Sequence, residues 1–316
     1  AVFLALVKSP IIRARLESAA ERKLTEIDFH RLAVFVYLHD VGKLVPGFQA
    51  IWWKILNKFG YNLSIIDTCS HKSEGLQIFL DAFQQSDHPL NNLATEISKW
   101  GSSYFDLIYA TLSHHGKPIV SPTSFNDKIL EHYNWRREAD YFVLMAKFWF
   151  KKAFTNKAEE LPNQPAFIHE FAGLVELADK LASNERFFRF SQDTHSDYNK
   201  KAIKLAAKLV KQVGIDLSDI RQTVKTNFTE FTGFATPYPI QRLVGEANLE
   251  YKLIILESPT ATGKTEAALW RFLVLFKAGL VSGLYFALPT RAAAQQIHKR
   301  ITEMTKRAFP GSAPEV

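Results

Sequence analysis

The sequence predicts a mainly α protein, a helical bundle followed by the beginning of a parallel α/β lobe. Three observations carry this. Apolar residues recur at helical spacing through the first two thirds of the 316 residues. After about residue 232, short β-like runs alternate with helical ones. Hydrophobic residues make up 47% and aromatics 13%, which is enough apolar surface for more than one core and excludes a disordered chain.

Taken in order, DFHRLAVFVYLHD at 28–40 reads as a buried helix entered at Asp28 as N-cap and broken by Gly42 and Pro46. SEGLQIFLDAFQ at 73–84 is amphipathic, with Ser73 as cap. SYFDLIYATLS at 103–113 ends at His114-His115-Gly116. Helical stretches follow at about 126–155 and 166–188, and a basic amphipathic helix at about 197–213. Gly233, Pro237 and Pro239 mark a connection. Then come a β-like run at 251–258, a helix at about 264–278, a second β-like run at 282–289 and a last helix, the βαβ pattern of a parallel sheet. The domains read as 1–195, a helical linker at 196–235, and an incomplete lobe at 236–316.

The formal net charge of +7 favours a polyanionic partner such as nucleic acid. One cysteine, Cys69, excludes an internal disulfide and suits a reducing cytoplasm. No apolar run approaches the ~18 residues of a membrane span.

Two groups of residues carry chemistry. The ten histidines include His39 beside Asp40, His114 beside His115, and His71 ahead of the second helix, and Asp179 lies in another helix. Imidazole and carboxylate bind first-row divalent metals, and helix ends of a bundle can converge on one site. Each residue alone is weak evidence, since a lone helical His is usually a core or surface residue. The second group is SPTATGKTE at 258–266, between a β-like run and a helix. This is the end of a P-loop, with Gly263, Lys264 and Thr265 placed for phosphate and Mg²⁺.

LHDVGKLVPGFQ at 38–49, HKSEGLQIF from His71, SHHGKP at 113–118 and AGLVELADKLAS at 172–183 occur in an order that resembles the HD nuclease domain of the nuclease–helicases of type I CRISPR systems. TPYPIQ and FALPTRAAAQQ, flanking the phosphate loop, extend the resemblance to the start of a RecA-like, superfamily 2 helicase lobe. The resemblance implies that His39, Asp40 and Asp179 serve one divalent transition metal (Mn, Ni, Co or Fe), and that Asp40, His71, His114 and His115 serve a second. It makes Asp40 a bridging ligand, Lys43 a charge near the scissile phosphate and Ser183 an orienting hydroxyl. Gln241 would read adenine, Thr260, Thr262, Gly263, Lys264 and Thr265 would hold ATP and Mg²⁺, and Thr290 and Arg291 would touch a nucleic-acid backbone. Ala261 stands where these helicases usually carry Gly.

The family carries an earlier histidine ligand than His39. The only earlier one here, His30, lies on the same helix, so the resemblance implies that the first ligand precedes Ala1. It implies cleavage of single-stranded DNA, ATP-driven unwinding in a longer protein, and recruitment by a guide-RNA surveillance complex. An HD-type nucleotide phosphohydrolase and a catalytically dead DNA- or complex-binding fragment are the alternatives.

Overall fold

The computed structural model describes residues 1–58, 71–114, 119, 136–155, 159–188 and 196–311. Cys69, His115, and the 126–135 part of the predicted long helix lie outside them. The chain divides into two compact units, one of Ala1–Lys8 with Ile12–Val210 and one of Ser9–Ile11 with the chain from Lys211 onward.

In the first unit, helices α1 (Val2–Leu6), α2 (Pro10–Ala19), α3 (Glu26–Leu38), α4 (Pro46–Lys58), α5 (His71–Gln84), α6 (Asn91–Ser98), α7 (Tyr104–Leu112), α8 (Arg136–Trp149), α9 (Pro165–Ala182) and α10 (Ser196–Gln212) succeed one another. Helix α3 is central. Phe29, Leu32, Ala33, Val34, Phe35 and Leu38 are buried on nearly every side of it, as its apolar run predicts. It starts earlier than Asp28. Thr25 is the N-cap, its hydroxyl accepting from the Asp28 amide, while the Asp28 carboxylate accepts from the Thr25 amide. The aspartate is thus the reciprocal partner of a capping box rather than the cap. The Arg22 guanidinium forks onto the same carboxylate at 2.9 and 3.1 Å.

The buried Arg31 donates to the carbonyls of Ala153 and Glu159 and lies over the Trp100 ring, so its charge enters the core with partners. Helix α5 begins at His71, ahead of Ser73, and α9 ends at Ala182, short of 188.

The second unit holds α11 (Ser218–Thr223), α12 (Phe228–Thr232), α13 (Pro239–Gly245), α14 (Lys264–Lys277) and α15 (Arg291–Ala308). Its core gathers Val224, Phe228, Phe231, Leu269, Trp270, Leu273, Phe276, Ile301, Met304 and Phe309. Residues 218–232, read from sequence as linker, therefore supply part of this core, and α10 falls almost wholly in the first unit. The buried Arg221 donates to the carbonyls of Phe276 and Val281 and lies over the Phe276 ring.

The runs at 251–258 and 282–289 are non-helical, as expected, but form no β-ladder among the described residues. A strand is defined by inter-strand hydrogen bonds, and here Leu253, Ile255 and Tyr285 stand 79%, 77% and 91% exposed. A mainly helical chain is what the structure shows. The sheet of the predicted lobe is not formed among these residues. No described helix is long and apolar enough to cross a membrane.

Candidate functional site

The histidines and aspartates singled out by sequence come together in the first unit. His39 is the C-cap of α3, His114 follows the end of α7, and Asp179 lies in the last turn of α9. His71 opens α5. The C-terminal ends of three helices carry partial negative charge, which favours a cation where they meet.

The close approach of α5 has a cause in Gly42, in the short 3-10 turn Val41–Leu44 that follows Asp40. A Cβ on Gly42 would overlap the backbone carbonyl of His71. The glycine therefore lets His71 sit against the turn that carries Asp40. Sequence reading passed over Gly42 as a helix breaker.

His39 Nδ1 lies 2.6 Å from the Val36 carbonyl, and His114 Nδ1 lies 2.9 Å from the Thr111 carbonyl. A carbonyl only accepts, so each Nδ1 carries the proton and each Nε2 faces the site with its lone pair when the ring is neutral. His39 Nε2 stands 3.2 Å from Asp40 Oδ2 and 3.4 Å from Asp179 Oδ1. Neither contact has hydrogen-bond alignment, and both His39 Nε2 and Asp40 Oδ1 are buried without a hydrogen-bond partner. Atoms aimed at a common point and not at each other fit a cation between them.

Two donor sets satisfy this geometry: His39, His114 and Asp179, and Asp40, His71 and His114, each with ligand atoms within 4.8 Å of one another. The rings of His39 and His114 are 4.8 Å apart, and those of His71 and His114 are 5.8 Å apart. These sets differ from the expected ones in that His114, and not Asp40, is common to both. His115 lies outside the described residues.

Electrostatics agree with the donor geometry. Burial opposes the His39 imidazolium, but Asp179 and Asp40 more than offset it and raise the pKa to about 9. Burial likewise opposes ionisation of Asp40, yet His39 and Lys43 hold it well below the ordinary carboxylate range. His39 chiefly lowers Asp179. Lys43 donates to Asp40 Oδ2 at 2.7 Å, and the Ser183 hydroxyl faces Asp179 Oδ1 at 3.5 Å.

A metal ion taking His39 Nε2 must displace this proton. Apparent Mn²⁺ affinity should fall about tenfold per pH unit below about pH 9. Calorimetric titration from about pH 7 to 9 checks this, and a flat profile removes His39 from the ligand set. In the metal-free chain the same raised pKa stabilises the fold fully below the ordinary value of 6.5. That contribution is lost as pH rises through about 9.

The second unit carries the phosphate loop. Gly263 takes φ +79° as the N-cap of α14, and a Cβ there would overlap the Gln241 amide. Gln241 is buried. It accepts from the Tyr238 amide at 2.8 Å and donates to the Gly263 carbonyl at 3.1 Å, tying α13 to the loop. Lys264 turns back to donate to the carbonyls of Ser258 and Pro259, at 2.6 and 2.7 Å. The Ser258 and Thr262 hydroxyls are 2.7 Å apart, Thr265 is half-buried, and Thr260 is exposed. Thr290 caps α15 by accepting from the Ala293 amide at 3.2 Å, with Arg291 exposed beside it. Glu266, buried next to Thr265, forms an ion pair with Arg300 of α15, a link without a sequence motif.

Ala261 adopts φ +63°, a conformation that costs an L-residue about 1–2 kcal/mol. Ala261→Gly should relieve it, less the extra entropy of glycine in the unfolded chain, for a net gain of up to about 1 kcal/mol. Urea unfolding of the second unit is the check, and a loss of stability would show the strain to be absent.

A helical bundle whose helix ends bring an HD pair, further histidines and a distant aspartate to one point defines an HD-type domain. Residues 1–188 match the family model described as Cas3, HD domain, and residues 238–313 match that of the DEAD/DEAH box helicase. The chain belongs to the Cas3 HD-domain family.

It is 28% identical over 304 residues to a CRISPR-associated endonuclease/helicase Cas3 of Thermus thermophilus, covering 90% of this chain and 31% of that one. A CRISPR-associated nuclease/helicase Cas3 of Streptococcus thermophilus is 28% identical over 298 residues, covering 87% and 32%. The chain thus spans about a third of the length of these relatives. In fold it is similar to the crystal structure of T. fusca Cas3 with AMPPNP, at a TM-score of 0.63 and 22% identity, covering 100% of this chain and 36% of that one.

Proposed function

We propose that the first unit is a metal-dependent endonuclease acting on single-stranded DNA. In the full-length protein it would be joined to an ATP-driven helicase that a type I CRISPR surveillance complex recruits. The single observation that carries the reading is the convergence of His39, Asp40, His71, His114 and Asp179 on one partly buried point. Divalent metal ions bound there would supply Lewis-acid charge for attack of water on a phosphodiester. The chain's own residues do the rest. Asp40 and Asp179 supply the negative charge that holds the ions, and the carbonyls of Val36 and Thr111 fix the imidazoles in the ligating tautomer. Lys43, beside Asp40, offers a positive charge to an incoming phosphate.

The helicase match at 238–313 favours this reading over a nucleotide phosphohydrolase, which needs no helicase. The phosphate loop suits ATP with Mg²⁺, with Lys264 leaving the loop carbonyls for phosphate oxygens.

The test is cleavage of circular single-stranded DNA by the purified chain with Mn²⁺ or Ni²⁺ added. Linear products that disappear with a chelator are expected, and Lys264→Ala should cut as well as the parent, because hydrolysis of the strand needs no ATP. No cleavage under any of these metals would leave a DNA- or complex-binding module as the better description.

A further inference from the structure

Helix α10 (Ser196–Gln212) carries a charge pattern that the metal centre and the phosphate loop do not use. Its buried residues are Ala202, Ala206, Leu209 and Val210. On the opposite side, Lys200, Lys201, Lys204, Lys208 and Lys211 are all exposed. At 3.6 residues per turn the five fall within an arc of about 100°. The helix's one acidic residue, Asp197, lies in the first turn. Lys211 is bonded to Asp219. Lys200, Lys204 and Lys208 have no ion-pair partner among the described residues.

Like charges four residues apart destabilise a helix, and no interspersed carboxylate relieves these. A polyanion laid along the helix would relieve all three. Successive lysines of the row rise by about 6 Å and turn by about 40°, so they form a slanting line of cations suited to a phosphate backbone. Ile203 borders the row at 50% exposure, whereas Tyr198 lies about 160° round the helix from Lys200. A flexible single strand can follow such a short, turning row with its phosphates more readily than a stiff duplex.

We infer that the lysine face of α10 is a docking track for single-stranded DNA, with Lys200, Lys204 and Lys208 on successive phosphates. The inference deepens the proposed nuclease reading and rests on it for the identity of the ligand.

The test uses the full chain with a chelator present, so that nothing is cut, and a fluorescent oligo-dT as probe across a salt series. The variant K200A/K204A/K208A keeps the helix, since alanine is the better helix former. Three lost phosphate contacts should make the slope of log K against log salt shallower by about 2, and should weaken binding at least tenfold at low salt. A control variant, K8A/K23A/K225A, removes the same charge from exposed positions elsewhere and should leave the slope unchanged.

An unchanged slope in the first variant overturns the track. So does an equal change in the control, or an equal change with a duplex probe. Metal-dependent hydrolysis of bis(p-nitrophenyl) phosphate, too small to reach along the helix, should be the same in parent and variant. If the parent lacks that activity the nuclease reading fails, while the salt slope still judges the track.

Discussion

Asp40→Ala is expected to lower cleavage of circular single-stranded DNA by at least about a thousand-fold, or about 4 kcal/mol of barrier. Asp40 stands at the junction of the site. Its Oδ2 is 3.2 Å from His39 Nε2 and takes the Lys43 ammonium, while its Oδ1 is buried and without a hydrogen-bond partner. It completes a donor set with His71 and His114. Removing it takes a negative charge and a ligand at once, and leaves the Lys43 ammonium beside the metal site without its partner. Asp40→Asn separates the two losses, because it keeps the shape and removes the charge. Both variants should show less bound metal by elemental analysis, and the His39 imidazolium should lose part of its support and titrate lower. Near-parental cleavage by either variant would mean that the ions, if bound, sit elsewhere.

The candidate ligands stand out in the sequence for a physical reason. Metal ligands must be particular side chains, and helix-terminal positions such as His39, His114 and His71 place them where helices can converge. What supports them was not legible, because it is made by backbone. The carbonyls of Val36 and Thr111 set the ring tautomers, and any residue type could supply them. The N-cap of α3 was misjudged by three residues because Thr25 and Asp28 share one capping box, and either type can cap. Residues 218–232 read as part of a helical linker at 196–235 because short helices give too few turns to reveal periodicity. Phe228 and Phe231 enter a core whose other members come much later in the chain. The β-like runs show the limit from the other side. Their composition suits strands, but a ladder depends on neighbours that a local pattern does not contain.

Gly42→Ala should be the most damaging single change outside the candidate ligands themselves. The glycine is buried, and a Cβ would overlap the carbonyl oxygen of His71, with that residue's carbonyl carbon and Cα also too close. These are backbone atoms, so no rotamer change relieves the overlap, and α5 must move away from the turn that bears Asp40. Overpacking of this kind costs about 1–3 kcal/mol of stability. The functional cost is larger, because His71 moves with the start of α5, and a misplacement of about 1 Å in such a site costs about a hundred-fold in rate. The expected outcome is a folded protein that keeps the His39–His114–Asp179 set, binds fewer metal ions per chain and cuts at least about a hundred-fold more slowly. Gly75→Ala is the matched comparison. Its Cβ would meet the Leu112 side chain at 3.0 Å, a flexible group that can yield, so its effect should be much smaller. Equal and mild effects from the two substitutions would show that the approach of α5 to Gly42 does not control the site.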